Sequence, residues 1–181
     1  MTRLERLLSQ YAAYHLDRKN VTTHFIGIPL IVFSVICLTV RASVFLSGYE
    51  LTLALVVLTV SILYYLTIDV FFALLMSFIF MFAYPYAYGI AQWETNLWLS
   101  SSVFIFIVGW AFQFVGHVYE KKKPAFMDDL IGLAIGPLFV LAELVFLLGF
   151  RKELEEKVLL EARKQRLLME QDETFSEMIS K

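Results

Sequence analysis

The sequence predicts an all-α protein: a polytopic membrane helical bundle of four full spans plus a kinked or re-entrant fifth segment, with amphipathic helices at both ends. Three observations predict it. Of 181 residues, 59% are hydrophobic and 18% charged, where a soluble domain carries about half and about a quarter. The charges lie mostly outside long apolar runs. Those runs, at 25–40, 51–68, 70–91, 97–118 and 130–150, approach or reach the roughly 20 residues a helix needs to cross a bilayer.

From the N-terminus, residues 2–16 predict an amphipathic helix. Leu4, Leu8, Tyr11 and His15 recur at helical spacing with Leu7 and Tyr14 alongside, and Arg3, Glu5 and Arg6 take the other face. Such a helix is expected to lie on the membrane surface. It lacks the apolar core and small-residue cleavage site of a secretion signal, so the full chain is expected to be retained. The residues "LDRKN" offer a break, and Asn20 is expected to cap a helix beginning at Val21.

The first apolar run is short and carries Pro29 near its start, where proline is tolerated. Only Asp69 separates the second run from the third, which predicts a tight hairpin. The fifth run holds Gly132, Gly136, Pro137 and Glu143, residues that predict a kink, a break or re-entry. Beyond it, Leu154, Val158, Leu159 and Leu167 fall at near-helical intervals in a charged tail that is expected to emerge into water. The organisation is one integral-membrane domain: a surface helix at 1–20, a bundle at 21–150 and a cytosolic tail at 151–181.

Lysine and arginine orient the bundle. They gather at Arg3, Arg6, Arg18 and Lys19, at Lys121, Lys122 and Lys123, and through the tail from Arg151. The remaining loops hold only Arg41. These basic sides agree if four runs cross and the fifth returns to the side it left. The N-terminus, lysine loop and C-terminus are then cytosolic; five plain spans are the alternative. Asp128 and Asp129 read as ordinary acidic residues at a helix start. A net charge of −2 gives no basic field for nucleic acid. The single cysteine, Cys37, excludes an intrachain disulfide. No nucleotide-binding glycine loop or serine-elbow motif is present, and a homo-oligomer is left open.

The chemistry-bearing residues are few. Four crossings bring all three histidines, His15, His24 and His117, to one side. Gln113, His117 and Glu120 form a polar stripe at i, i+4 and i+7 on an otherwise apolar helix. Ionisable groups at membrane depth are costly and face the protein interior, and three imidazoles suit Fe, Zn, Cu or Ni. The bland reading is that each histidine anchors an interface; no short metal motif such as HExxH is present. Glu143 would support a ligand if the fifth segment re-enters.

"YHLDRKNVTTHFIGIP" and "GWAFQFVGHVYEKKKPAFMDDL" resemble the two signature segments of a membrane 2-hydroxy fatty acid dioxygenase family. Its characterised fungal member takes phytosphingosine towards odd-numbered fatty acids. The resemblance covers roughly 11–150. It implies an Fe(II)-dependent dioxygenase of fatty-acid α-oxidation, with a 2-hydroxy fatty acid and O2 as substrates and membrane lipids around it. The matched positions are His15, Asn20, His24, Gln113 and His117. Read as ligands, the three histidines hold the iron, with Glu120 completing its sphere or belonging only to the loop. Asn20 and Gln113 then orient substrate or ligands. A site near the cytosolic face of a bacterial inner membrane or endoplasmic reticulum follows. The competing readings are a membrane zinc hydrolase acting on a lipid and a non-catalytic lipid-binding scaffold.

Overall fold

The computed structural model describes residues 1–121 and 131–179, with side chains as far as Asp172. The described residues form helices α1 (Arg3–Ala12), α2 (Arg18–Thr39), α3 (Leu53–Leu66), α4 (Val70–Ala91), α5 (Thr95–Glu120), α6 (Ile131–Leu147) and α7 (Lys152–Ile179). One hairpin, β1 (Ser43–Leu46) with β2 (Tyr49–Thr52), joins α2 to α3. The chain divides into two compact units, 22–116 and 1–21 with 117–181; the division falls within α2 and α5. Lys122, Lys123, Asp128, Asp129 and the first residue of the fifth run lie outside the described residues.

Among the described residues, α2, α4 and α5 are long and apolar enough to cross a membrane, at 22, 22 and 26 residues. The second run differs from expectation. Its helix, α3, has 14 residues, because β2 takes the start of the run and Thr52 caps the helix by accepting from Leu55 N–H at 3.2 Å. At about 1.5 Å per residue that helix is roughly 21 Å long, short of a full span. The hairpin turns on Ser47 and Gly48, both at positive φ, as a two-residue turn demands. Asp69 caps α4 by accepting from Phe72 N–H at 3.1 Å, as the expected tight connection requires.

Helices α2 and α5 run antiparallel and touch backbone to backbone. A Cβ on Gly109 would meet Gly27 O at 2.9 Å and Ile31 Cγ1 at 2.7 Å. Further along, Ser34 Oγ donates to Ser102 O at 2.9 Å and Trp98 Nε1 donates to Cys37 O at 2.8 Å. Small residues at such crossings let helices approach where lipid removes the usual hydrophobic drive. At the far end, Arg41 donates to Ala91 O, Trp93 O and Thr95 Oγ1 and lies over the Trp98 ring.

In unit 1–21 with 117–181, α1 packs on α6 and α7. Thr2 and Glu5 close a capping box at its start. Leu4 and Leu8 are buried with Ile135, Leu138, Phe139, Ala142, Val158 and Ala162. The apolar face assigned to a membrane surface is thus covered by protein. Helix α6 is stopped at Gly149, which has φ 87°, with Phe150 N–H donating to Val145 O at 3.1 Å, a glycine helix stop.

Candidate metal centre

Helix α1 ends at Ala12, not Leu16, and His15 is the reason. In a continuing helix the His15 N–H would donate to Tyr11 O. Instead the imidazole Nδ1 takes that carbonyl at 2.6 Å, and the N–H turns to Ala12 O at 2.8 Å. This side-chain competition with the helix ladder frees the chain to turn. A carbonyl only accepts, so Nδ1 carries the proton and the lone pair lies on Nε2. The ring stacks on Tyr11 at 4.2 Å and 3°, and Phe139 packs against both. The edge of His117 meets His15 at 5.1 Å between centroids.

The next helix begins at Arg18 rather than Val21. Asp17 makes the capping bond, accepting from Lys19 N–H at 2.7 Å. Asn20 therefore sits in the first turn, and its side chain does other work. It donates to Glu120 Oε2 at 3.1 Å and, weakly, to Tyr14 O at 3.4 Å. One turn later on α2 comes His24, which is fully buried.

On α5 the stripe Gln113, His117 and Glu120 is buried, each residue no more than 9% exposed. Gln113 Nε2 lies against Gly27, where a Cβ would collide with it. It is buried with no hydrogen-bond partner among the described residues. Both Glu120 oxygens are engaged: Oε2 accepts from Asp17 N–H at 2.8 Å and from Asn20, and Oε1 pairs with Arg166 at 3.1 Å.

His15, His24 and His117 each offer one ligand nitrogen, and these nitrogens all lie within 4.8 Å of one another. All three side chains are buried. The donor set suits a borderline metal: imidazole nitrogens, one of them in a tautomer fixed by a backbone carbonyl, the usual support for a ligating histidine. Glu143 is half-buried on α6 and is not a member of this cluster.

Sequence reasoning named every histidine but missed the residues that seat them. Tyr11 and Phe139 read as ordinary apolar positions. Asp17, not Asn20, caps the helix. Gly27 and Gly109 carry a legible signal, small residues in apolar helices. Arg166 carries none, since it stands in a tail whose many charges read as solvated.

Comparisons with known proteins identify the family. A family model described as 2-hydroxy-palmitic acid dioxygenase Mpo1-like matches residues 1–148. The chain is similar to the 2-hydroxy-palmitic acid dioxygenase MPO1 of Saccharomyces cerevisiae (strain ATCC 204508 / S288c). The two are 34% identical over 157 residues, covering 84% of this chain and 85% of that protein. No solved structure matches.

Proposed function

The chain belongs to the Mpo1-like family of 2-hydroxy-palmitic acid dioxygenases, and on that premise we propose that it is an Fe(II)-dependent dioxygenase of fatty-acid α-oxidation. It takes a 2-hydroxy fatty acid and O2 to a fatty acid one carbon shorter, CO2 and water. Atoms and electrons balance without an outside reductant. The observation that carries the reading is the buried triad His15, His24 and His117.

His15, His24 and His117 would hold the iron(II), which when bound would supply a redox-active Lewis acid for O2 chemistry on a 2-hydroxy acid. The chain's own residues do the rest. The Tyr11 carbonyl holds the proton on His15 Nδ1 and keeps the other nitrogen available. Gln113 offers an amide N–H₂ to the substrate head group, and its burial beside Gly27 fixes the direction of that donor. Asn20 and Glu120 act by holding the turn between His15 and His24, not as ligands. The acyl chain lies among the apolar helices, which explains why the enzyme is a membrane protein.

We place the whole chain in one integral-membrane domain, with the basic N-terminal segment, lysine loop and tail on the cytosolic side of a bacterial inner membrane or endoplasmic reticulum. Four apolar runs cross, α3 by hydrophobic mismatch or local thinning, and the fifth returns to the side it left.

The test is substrate turnover after anaerobic reconstitution. With Fe(II), 2-hydroxy-palmitic acid is converted only once O2 is admitted. A zinc-loaded protein that consumes lipid without O2 would mean a hydrolase, and the reading fails.

A further inference from the structure

The family match ends at residue 148, yet a residue well beyond it reaches the turn that carries His15. Arg166, on α7, is mostly buried, with its side chain 14% exposed. Its Nη1 donates to Ala13 O at 2.8 Å and lies 3.1 Å from Glu120 Oε1; its Nη2 donates to Glu120 O at 3.3 Å. Its Nε is held by Glu170 Oε1 at 3.0 Å. One guanidinium thus grips the segment just before His15 and the last turn of α5, which bears His117.

Glu120 passes the grip on. Its side chain is 2% exposed, and its other oxygen takes Asp17 N–H at 2.8 Å and Asn20 Nδ2 at 3.1 Å. Every residue in this network lies in the same compact unit. A buried carboxylate needs a paired charge and full hydrogen bonding to persist. The planar fork of arginine spreads its donors to meet the carboxylate and two carbonyls at once, a geometry the compact ammonium of lysine does not match.

We propose that Arg166 is a positioning residue of the metal centre, so that the C-terminal helix α7 is a working part of the active site. Arg166 neutralises Glu120, and Glu120 then fixes the turn from Ala13 to Asn20 and, with it, the separation of His15 from His117. The proposal rests on the metal-centre reading. Outer partners of this kind change metal affinity by about 10–100-fold when lost.

A second contact between α1 and α7 provides the control. Lys157, itself exposed, pairs with the largely covered Glu5 at 3.7 Å. It helps dock the same helix but touches neither the turn nor Glu120.

The experiment is a titration of the full-length apoprotein in detergent with Co(II) alone, read by its visible ligand-field bands, beside a thermal melt. Wild type is expected to bind one Co(II) and His117→Ala to abolish the bands. If wild type gives no histidine-dependent bands, the metal-centre reading itself fails. Given wild-type binding, Arg166→Met is expected to bind about tenfold or more weakly with altered bands, Arg166→Lys to recover part of the affinity, and Lys157→Ala to match wild type. Glu120→Gln with Arg166→Met removes the stranded charge, and is expected to fold even where Arg166→Met does not, with intermediate affinity. Wild-type affinity and bands in Arg166→Met or in the double variant overturn the proposal. So does an equal loss in Lys157→Ala, which would make the effect one of helix docking alone.

Discussion

The imidazole of His15 lies parallel to the ring of Tyr11, 4.2 Å away, while its Nδ1 donates to the carbonyl of the same Tyr11 at 2.6 Å. One residue sets both the plane and the tautomer of the histidine. Because the carbonyl belongs to the backbone, substitution at position 11 tests the stack separately. Tyr11→Phe is expected to keep metal binding. Tyr11→Ala is expected to cost about 3–5 kcal/mol of stability and about tenfold in metal affinity. Thermal unfolding in detergent and a metal titration measure the two effects; equal losses in both variants would assign the role to the hydroxyl instead.

Gln113 carries a buried amide nitrogen with no hydrogen-bond partner among the described residues. Such a group weakens a fold unless function retains it. Gln113→Leu keeps the volume and removes the amide. Stability is therefore expected to stay level or rise, while turnover falls by roughly a hundredfold, the scale of one lost donor to a reacting group. Melting temperature and kcat, measured on the same preparation, check this opposite movement. A parallel loss of both would make Gln113 a packing residue.

The crossing of α2 and α5 at Gly27 and Gly109 leaves no space for a methyl group. Gly109→Ala drives a Cβ to within 2.7 Å of Ile31 Cγ1 and 2.9 Å of Gly27 O. The helices must move apart, at a cost of about 1–3 kcal/mol. The same change at Gly48, on the exposed hairpin with nothing near its Cβ, meets no neighbour and strains only the turn. Chemical denaturation in detergent should rank Gly109→Ala below wild type with reduced metal affinity, and leave metal affinity intact in Gly48→Ala.

A metal held by His15, His24 and His117, as proposed, would bind the folded chain through residues that the unfolded chain does not bring together, so its removal should lower thermal stability. Chelation is expected to reduce the melting temperature and abolish activity, and Fe(II) to restore both. Each of His15→Ala, His24→Ala and His117→Ala should lose the chelator-sensitive part of the melt. A variant that keeps it takes that histidine out of the ligand set.

Much of this was legible in sequence because two signals are strong. Apolar runs locate membrane helices, and α2, α4 and α5 lie where the runs at 25–40, 70–91 and 97–118 put them. Three histidines in a chain with few other chemical groups stand out, and they do cluster. What escaped is what periodicity does not encode. The end of α1 depends on a side chain competing for one carbonyl, and the start of α2 on which of two capping residues, Asp17 or Asn20, is used. The length of α3 depends on a hairpin whose turn, Ser47–Gly48, was readable but overshadowed by the apolar run around it. Arg166 finds Glu120 across 46 residues, a distance at which one charge in a charged tail gives no local sign.

On the proposed reading, the histidine cluster carries O2-dependent loss of one carbon. A single-turnover reaction with carboxyl-labelled 2-hydroxy-palmitic acid, using Fe(II)-loaded protein, tests it most directly. One labelled CO2 and one shortened acid are expected for each O2 consumed, and neither in His24→Ala. Labelled CO2 without O2, or an unshortened product from iron-loaded protein given O2, would contradict it.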